Sequence, residues 1–400
     1  SSTDLIRRRW LDNDFSGLIF NLNYTPLSKL NFVLGGGYNT YYGKHFGRVI
    51  WAQYAGNAEM NHQYYSNAAN KNDGNIYLKT NYRPLGGLNV FVDLQMRHVD
   101  YRFRGFDNFL NEVMQQQTYL FFNPKLGLSY DVNQRVNVYA SYAVANKEPN
   151  RDDFVQSTPQ SRPRPEHLDD IEAGVKYAGK KISAAVNLYN MQYRDQLVLN
   201  GQLNDVGAYN RVNVASSFRR GVEFEINARL SKYFSVGGNL SLSQNKIADF
   251  TEYVDSIYTY VDEDQNEQDG YKQFAIQHKN TDISFSPNRV ASVVLAFTPV
   301  KDLEIALISK HIGEQYLDNT MNSSRRIAAY DVLNLRINYT LRTRLISQID
   351  LSLMVNNLSN VNYETNGYTF GWYYNGSRET YNYLAPAAPR NFLAGITFKF

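Results

Sequence analysis

The chain has 400 residues, with 41 Lys plus Arg against 38 Asp plus Glu and a formal net charge of +3. So small a charge, with no basic run longer than Arg7-Arg8-Arg9, gives no electrostatic footprint for nucleic acid. The absence of cysteine excludes disulfides, thiol catalysis and thiolate metal sites. Mean hydropathy is −0.48, and the longest apolar run, VASVVLAFTPV, covers only Val290 to Val300. A membrane helix needs roughly 18 apolar residues. A membrane-spanning barrel does not, because the face of each strand turned to its interior is polar and halves the apolar signal.

In chain order, segments of period two come in pairs joined by short turns. The turns fall at TPLSKL between Tyr24 and Asn31, at Arg83–Gly87, Asp131–Gln134, Ala178–Lys180, Ser231–Tyr233, Pro299–Asp302 and near Arg342–Arg344. Gly, Pro, Asn and Asp dominate most of them, as tight chain reversal requires. Between turns the alternation is clean. Val90, Val92, Leu94 and Met96 oppose Asn89, Asp93, Gln95 and Arg97; Val222, Phe224, Ile226, Ala228 and Leu230 oppose Glu223, Glu225, Asn227 and Arg229. Ile349, Leu351, Leu353 and Val355 oppose Asp350, Ser352 and Asn356. The last ten residues, NFLAGITFKF, put Phe392, Ala394, Ile396, Phe398 and Phe400 on one face. Helical spacing fits none of these segments.

Long polar connections separate the pairs, roughly 43–73, 104–117, 146–167, 195–216, 248–287, 313–328 and 358–389. Long loops at one end and short turns at the other mark an outer-membrane barrel, with its short turns on the periplasmic side. The fold expected is an all-β transmembrane antiparallel β-barrel portion of about fifteen strands, beginning near Gly17–Thr25. Tracing back from the last strand, the first one starts on the long-loop side. Single-chain bacterial barrels have even strand numbers, so at least one N-terminal strand is expected to be missing. Ser1 follows neither an initiator Met nor a secretory leader, and the start is read as a cut.

Several strings resemble TonB-dependent outer-membrane receptors. They are FFNPKLGLSYDVNQRVNVYASYAVANKEPN, RPRPEHLDDIEAGVKY with Pro165, Glu166, Glu172, Gly174 and Lys176, FRRGVEFEINARL with Arg220, Gly221, Val222 and Glu223, FSPNRVASVVLAFTP, and DLSLMVNNLSNVNY. They occur in the family's order along nearly the whole chain. Ser359-Asn360 and Arg219 depart from its pattern without disturbing the strands. The resemblance implies a 22-stranded barrel closed by an N-terminal plug domain, with residues 1–400 as the C-terminal portion of the barrel and the plug absent from this chain. It further implies an outer-membrane active-transport receptor for a scarce nutrient complex, favoured here as a ferric siderophore, energised through TonB. Alternatives are a haem, cobalamin or oligosaccharide receptor of the same family, or a passive porin-type channel. The partners implied are TonB, outer-membrane lipid and a small-molecule nutrient chelate, with a surface lipoprotein as an optional further one. No cofactor is implied.

The histidines His45, His62, His98, His167, His278 and His311 accompany no GxSxG, HExxH or phosphate-cradling loop, so no enzyme activity is expected. Three loops carry candidate chemistry. The last outer loop concentrates Trp372, Tyr373, Tyr374, Arg378, Tyr381 and Tyr383, which could stack on a flat ligand and pair with an anionic one. GNAEMNHQYYSN groups His62, Tyr64 and Tyr65, residue types that suit iron, although a Tyr-rich loop packing on its neighbours is the plainer reading. VDEDQNEQDG offers Asp262, Asp264, Asn266 and Asp269 as oxygen ligands for Ca²⁺, but without the Gly and Glu of an EF-hand; a solvated loop tip is the plainer reading.

Overall fold

The computed structural model describes residues 3–54, 56, 59–107, 110, 112–155, 157, 162–203, 209–262 and 264–400. The chain is all-β, with one short helix, α1 (Arg151–Val155). Its strands are β1 (Leu5–Leu27), β2 (Leu30–Ala52), β3 (His62–Tyr82), β4 (Leu88–Phe106), β5 (Gln115–Asn133), β6 (Val136–Lys147), β7 (Glu166–Ala178), β8 (Ile182–Leu203), β9 (Tyr209–Arg229), β10 (Phe234–Val261), β11 (Glu267–Asp282), β12 (Arg289–Phe297), β13 (Leu303–Ile312), β14 (Gln315–Tyr316), β15 (Arg326–Ile327), β16 (Tyr330–Leu341), β17 (Gln348–Asn356), β18 (Glu364–Tyr374), β19 (Ser377–Pro386) and β20 (Asn391–Lys399). Among the described residues eighteen strands share one sheet, and β14 pairs with β15 apart from it. Five strands (β11, β14, β15, β18 and β19) lie inside the long connections, which leaves the fifteen expected from the sequence.

The strands are longer and the connections shorter than the sequence suggests. β1 starts at Leu5 rather than near Gly17, and most of the expected loop 43–73 is strand, with β2 running to Ala52 and β3 starting at His62. The stretch 248–287 is largely the antiparallel ribbon β10–β11, and 358–389 holds the hairpin β18–β19. The physical reason is that apolar alternation reports which face meets lipid. Ladder hydrogen bonding continues past the lipid without it.

The chain divides into two compact units, one of residues 1–128 and 141–169, the other of residues 129–140 and 170–400. In the first, β1 to β4 pair antiparallel in sequence order, and β1 turns into β2 between Leu27 and Leu30. The register sets Ile76 opposite Met96 and Leu78 opposite Leu94, which joins the apolar residues of both strands on one face. In the second unit Phe224 is flanked by Val186 on β8 and Leu240 on β10, and Ile226 by Ala184 and Gly238. Glu223, Glu225 and Asn227 take the opposite face. Phe224 and Ile226 are 41% and 48% exposed, so this face is not a buried core. β20 continues the pattern, with Phe392, Ala394, Ile396 and Phe398 opposite Val355, Leu353, Leu351 and Ile349. The β5–β6 turn is held by Asn133, whose Oδ1 accepts from Arg135 N at 2.8 Å and Val136 N at 3.1 Å.

Two strands of the second unit change faces along their length. Asn245 and Ile247 are buried, and beyond them Phe250, Val254 and Ser256 are, so burial passes from odd to even positions. The switch lies beside Asn280 on β11, which has φ 52°. β8 behaves alike: its buried residues beyond Asp195, at φ 54°, are Gln196 and Val198. A one-residue irregularity turns every later side chain over. Val198, Val214, Ile247, Phe250 and Ile283 meet as a small core where both switches occur.

Candidate functional site

In the second unit, the β18–β19 hairpin turns through Asn375 (φ 45°) and Gly376 (φ 84°). This is the two-residue geometry that Asn-Gly favours, because both residues tolerate positive φ. Tyr368 lies opposite Tyr383, Phe370 opposite Tyr381, and Tyr373 opposite Arg378. Period two therefore puts Tyr368, Phe370, Trp372, Tyr381 and Tyr383 on one face, where they stack. Tyr368 and Tyr383 are 5.0 Å apart at 8°, Trp372 and Tyr381 5.3 Å apart at 22°, and Phe370 stands 5.7 Å from both tyrosines. Phe370, Tyr381 and Tyr383 of this stack are exposed, and Trp372 is half-buried. Trp372 is the end nearest the turn.

The other face is committed to structure. Arg378 donates to Glu252 and stands 5.6 Å over the ring of Tyr373, which meets Phe274 at 5.8 Å. Glu252 also accepts from Arg325 Nη1 at 2.8 Å and lies 3.0 Å from His278 Nε2. The same Arg325 nitrogen donates to Asp318 Oδ2 at 2.7 Å. Arg325 and Asp318 are buried at 4% and 3% exposure. Burial alone would raise the Glu252 carboxyl, but the hydrogen bonds and charge of Arg325, with His278 and Arg378, hold it below the ordinary carboxylate range. The hairpin is also tied by its edge. Ser256 and Ile257 pair parallel with Tyr373 and Tyr374, and Thr259 N donates to Asn375 Oδ1 at 2.8 Å. Trp372, Tyr373, Tyr374 and Arg378 thus share a hairpin but not a face.

In the first unit, the segment after β6 folds onto the polar face of β2–β4. Glu148 accepts from Lys71 Nζ at 2.5 Å and from Arg97 Nη1 and Nη2 at 2.8 Å, while Arg97 also grips Asp73 with Nε at 3.0 Å and Nη2 at 2.5 Å. Phe154 of α1 packs 5.2 Å from Phe103 and 6.0 Å from Tyr101. Arg151, buried, donates to Gly43 O at 3.2 Å and to Asn67 Oδ1. Burial, reinforced by the charge of Arg151, pulls the nearby His45 imidazole down from 6.5 to about 4. A released segment would let His45 bind a proton at its ordinary value. Acidification from pH 6.5 towards 4 therefore favours release, and stability in this window rises with pH. After correction for intrinsic rates, amide exchange of Phe154, whose N donates to Asn150 O at 3.4 Å, should accelerate over this range. In His45→Gln it should not; equal acceleration there would assign the effect elsewhere.

The other candidates are occupied by local packing. Tyr64 and Tyr65 meet edge-on at 5.1 Å, and Arg7 stands 5.4 Å over Tyr64. Both rings crowd Gly47, where a Cβ would lie 2.4 Å from Tyr65 and 2.5 Å from Tyr64. His62 is exposed at the start of β3; Asn57 and Ala58 of this loop lie outside the described residues. Asp262 caps its own turn, accepting from Asp264 N at 3.0 Å, Asn266 N at 2.8 Å and Gln268 Nε2 at 3.1 Å. Asp269 pairs with Thr259 in the ladder, and Glu263 lies outside the described residues. Among the described residues no group of three His, Asp or Glu side chains is gathered for a metal ion. Sequence reasoning missed the Glu252–Arg325–Asp318 and Glu148–Arg97–Asp73 clusters, whose members are far apart in the chain. The aromatic stack did leave a signal, in the alternate rings flanking Asn375-Gly376.

A long-stranded antiparallel sheet, apolar on one face and polar on the other, is the architecture of an outer-membrane β-barrel. The family model described as TonB dependent receptor-like, beta-barrel matches residues 1–358, and the chain belongs to that family. Members are outer-membrane β-barrels of Gram-negative bacteria and act as transport receptors. Solved structures with this fold include the copper transporter OprC (TM-score 0.73, 14% identity, 98% of this chain and 57% of that one). The siderophore receptor PiuA from Acinetobacter baumannii (0.69, 12%, 98% and 56%) and the ferric yersiniabactin uptake receptor FyuA from Yersinia pestis (0.66, 14%, 99% and 55%) are also similar. No curated relative matches by sequence. The chain spans little more than half the length of these solved receptors.

Proposed function

We propose that residues 1–400 are the C-terminal barrel portion of an outer-membrane receptor that imports a scarce nutrient complex, a ferric siderophore, by TonB-energised active transport. Membership of the receptor family carries this reading. The siderophore is chosen because several solved proteins of the same fold are described as siderophore or ferric-chelate receptors. The N-terminal plug and the first strands belong to the remainder of the protein; β1 and β20 are exposed on both faces along their whole length, as strands awaiting neighbours would be. TonB acts through that remainder. The outer end captures the chelate, with Trp372 at the end of the stack and the exposed Tyr374 as contacts. Arg378 and Tyr373 hold the hairpin in place, while in the first unit the exposed His62 is a separate, secondary contact supported by Tyr64 and Tyr65, which pack around Gly47.

Trp372→Ala should weaken binding of the ferric chelate by about 2 kcal/mol, roughly thirtyfold, with barrel assembly unchanged. Uptake of radiolabelled ferric siderophore by cells carrying the full-length protein should stop when the proton gradient is collapsed or TonB is deleted. Uptake that continues in those cells would establish a passive channel instead.

A further inference from the structure

On the polar face of the second unit, β13, β16, β17 and β20 line a cleft of about 290 Å³. The register puts Glu304, Ala306, Ile308 and Lys310 of β13 on the same face as Asn338, Arg336, Asn334 and Val332 of β16. Asn356 of β17 follows in line, opposite Asn391 of β20. Beyond β17 the chain turns back at Asn357, which has φ 50° and is buried. Its side chain accepts from Val361 N at 3.0 Å and donates to Val361 O at 2.8 Å. This lock folds Tyr363 onto Tyr330, ring centroids 4.7 Å apart, and completes the cleft.

The hydrogen bonds around the cleft fix what it offers. Asn357 N can only donate, so Asn334 turns Oδ1 to it at 2.8 Å and, among the described residues, leaves Nδ2 without a partner. Pro389 O can only accept, so Asn391 gives it Nδ2 at 2.9 Å and presents Oδ1 to Asn356. Asn356 must then donate through Nδ2, at 2.9 Å, and its Oδ1 is left for a donor. Among the described residues the hydroxyls of Tyr330, Tyr363 and Thr365, which also line the cleft, have no hydrogen-bond partner either. Charge is distributed as unevenly. On this face Glu304 pairs with Arg336 at 3.1 Å and Asp350 with Lys399 at 3.0 Å. Lys310 is exposed and has no ion-pair partner among the described residues.

We infer that this cleft takes a polyhydroxylated carboxylate, with the carboxylate on Lys310 and Asn334 Nδ2 and the hydroxyls on Asn356 Oδ1, Tyr330, Tyr363 and Thr365. The pattern excludes simpler ligands. Carboxylates alone cannot satisfy Asn356 Oδ1, which needs a proton, and a neutral polyol leaves Lys310 unmatched. The tyrosine pair supplies an apolar wall for the carbon skeleton. At about 290 Å³ the cleft lies at the lower bound for whole small-molecule ligands, so it holds one arm of a larger one. That arm is a hydroxycarboxylate of the imported chelate. The assignment rests on the import reading above and narrows the chelator to one class.

The test titrates iron-free gluconate into the purified full-length protein by calorimetry. Hexanoate, which lacks the hydroxyls, and sorbitol, which lacks the carboxylate, are the matched controls. Gluconate should bind about tenfold more tightly than either. Lys310→Gln should weaken gluconate about tenfold and leave sorbitol unchanged, and Lys310→Arg should keep most of the affinity. Lys310 holds no structural partner, so the variant is expected to assemble. Tyr330→Phe, which keeps the ring pair and drops one hydroxyl, gives a second reading through a smaller loss. Ferric citrate, a chelate that presents the same arm, should displace gluconate. Displacement by galacturonate but not by ferric citrate would overturn the assignment to a chelate and leave a sugar-acid site. Equal affinity for gluconate and hexanoate, or gluconate binding unchanged in Lys310→Gln, overturns the proposal altogether. Energised uptake of another ferric chelate would then leave the import reading standing without this cleft.

Discussion

Phe224→Arg is expected to destabilise the sheet by about 2–4 kcal/mol in a bilayer, whereas Glu225→Gln should change stability far less. The two residues are neighbours in β9 and differ only in the face they occupy. Phe224 shares its face with Val186 and Leu240, so an arginine there would carry its charge into hydrocarbon. Glu225 lies on the polar face beside Asn227, whose Nδ2 donates to it at 3.1 Å, and Gln keeps the acceptor. Reversible denaturant unfolding in vesicles gives both values, provided each variant first assembles. Labels at the two positions give an independent reading, with quenching by lipid-borne groups expected at Phe224 and by aqueous ones at Glu225. Equal costs, or reversed quenching, would put β9 in the opposite register.

Glu252→Ala should cost about 3–5 kcal/mol in the outer part of the second unit, because it removes the anion shared by Arg325 and Arg378 and leaves Arg325 buried with Asp318 alone. The loss should be local. Amide exchange should rise through β18 and β19, which Arg378 ties to β10, while β16 and β17 stay protected. The triple variant Glu252→Ala/Arg325→Met/Asp318→Asn should recover part of the loss, since it leaves no unpaired buried charge where Arg325 and Asp318 met. The pH dependence has a fixed sign. The folded Glu252 carboxyl is held below its ordinary value of 4.5, so its contribution is present above about pH 4.5. It is lost as pH falls through the folded value. Hairpin protection that survives at low pH, or that is the same in Glu252→Ala, would show that the edge pairing of Ser256 and Ile257 with Tyr373 and Tyr374 suffices.

The ion-pair network also changes how the last connection is understood. A run such as GWYYNGSRETYNY invites a single binding patch of aromatics and arginine. The hairpin divides it, because neighbouring residues of a strand point to opposite faces. Trp372 lies at the end of the stack, whereas Arg378 is consumed by Glu252 and Tyr373. A substitution series that pooled these residues would mix loss of a contact with loss of the scaffold beneath it. Single variants separate the two, since Arg378→Ala and Tyr373→Ala, but not Trp372→Ala, should raise exchange along β18.

The amino-acid pattern alone marked about fifteen wall strands, the positions of the short turns and the facing of the apolar residues in Val90–Met96, Val222–Leu230, Ile349–Val355 and Phe392–Phe398. All of these follow from a period of two imposed by lipid on one side and water on the other, together with turn residues that reverse the chain within a few positions. Where the lipid stops, that signal stops too, and the sequence could not show that β2, β3, β8, β9 and β10 continue well past it. Nor could it show the face switches at Asp195 and Asn280, since one left-handed residue leaves no periodic trace. Which distant residues meet is set by the fold. Glu252 finds Arg325 and Arg378, and Glu148 finds Lys71 and Arg97, because long strands and returning connections bring them together. Lys310, Asn334 and Asn356 line one cleft because ladder register sets β13, β16 and β17 side by side. Register is a relation between strands, and no single strand's residues encode it.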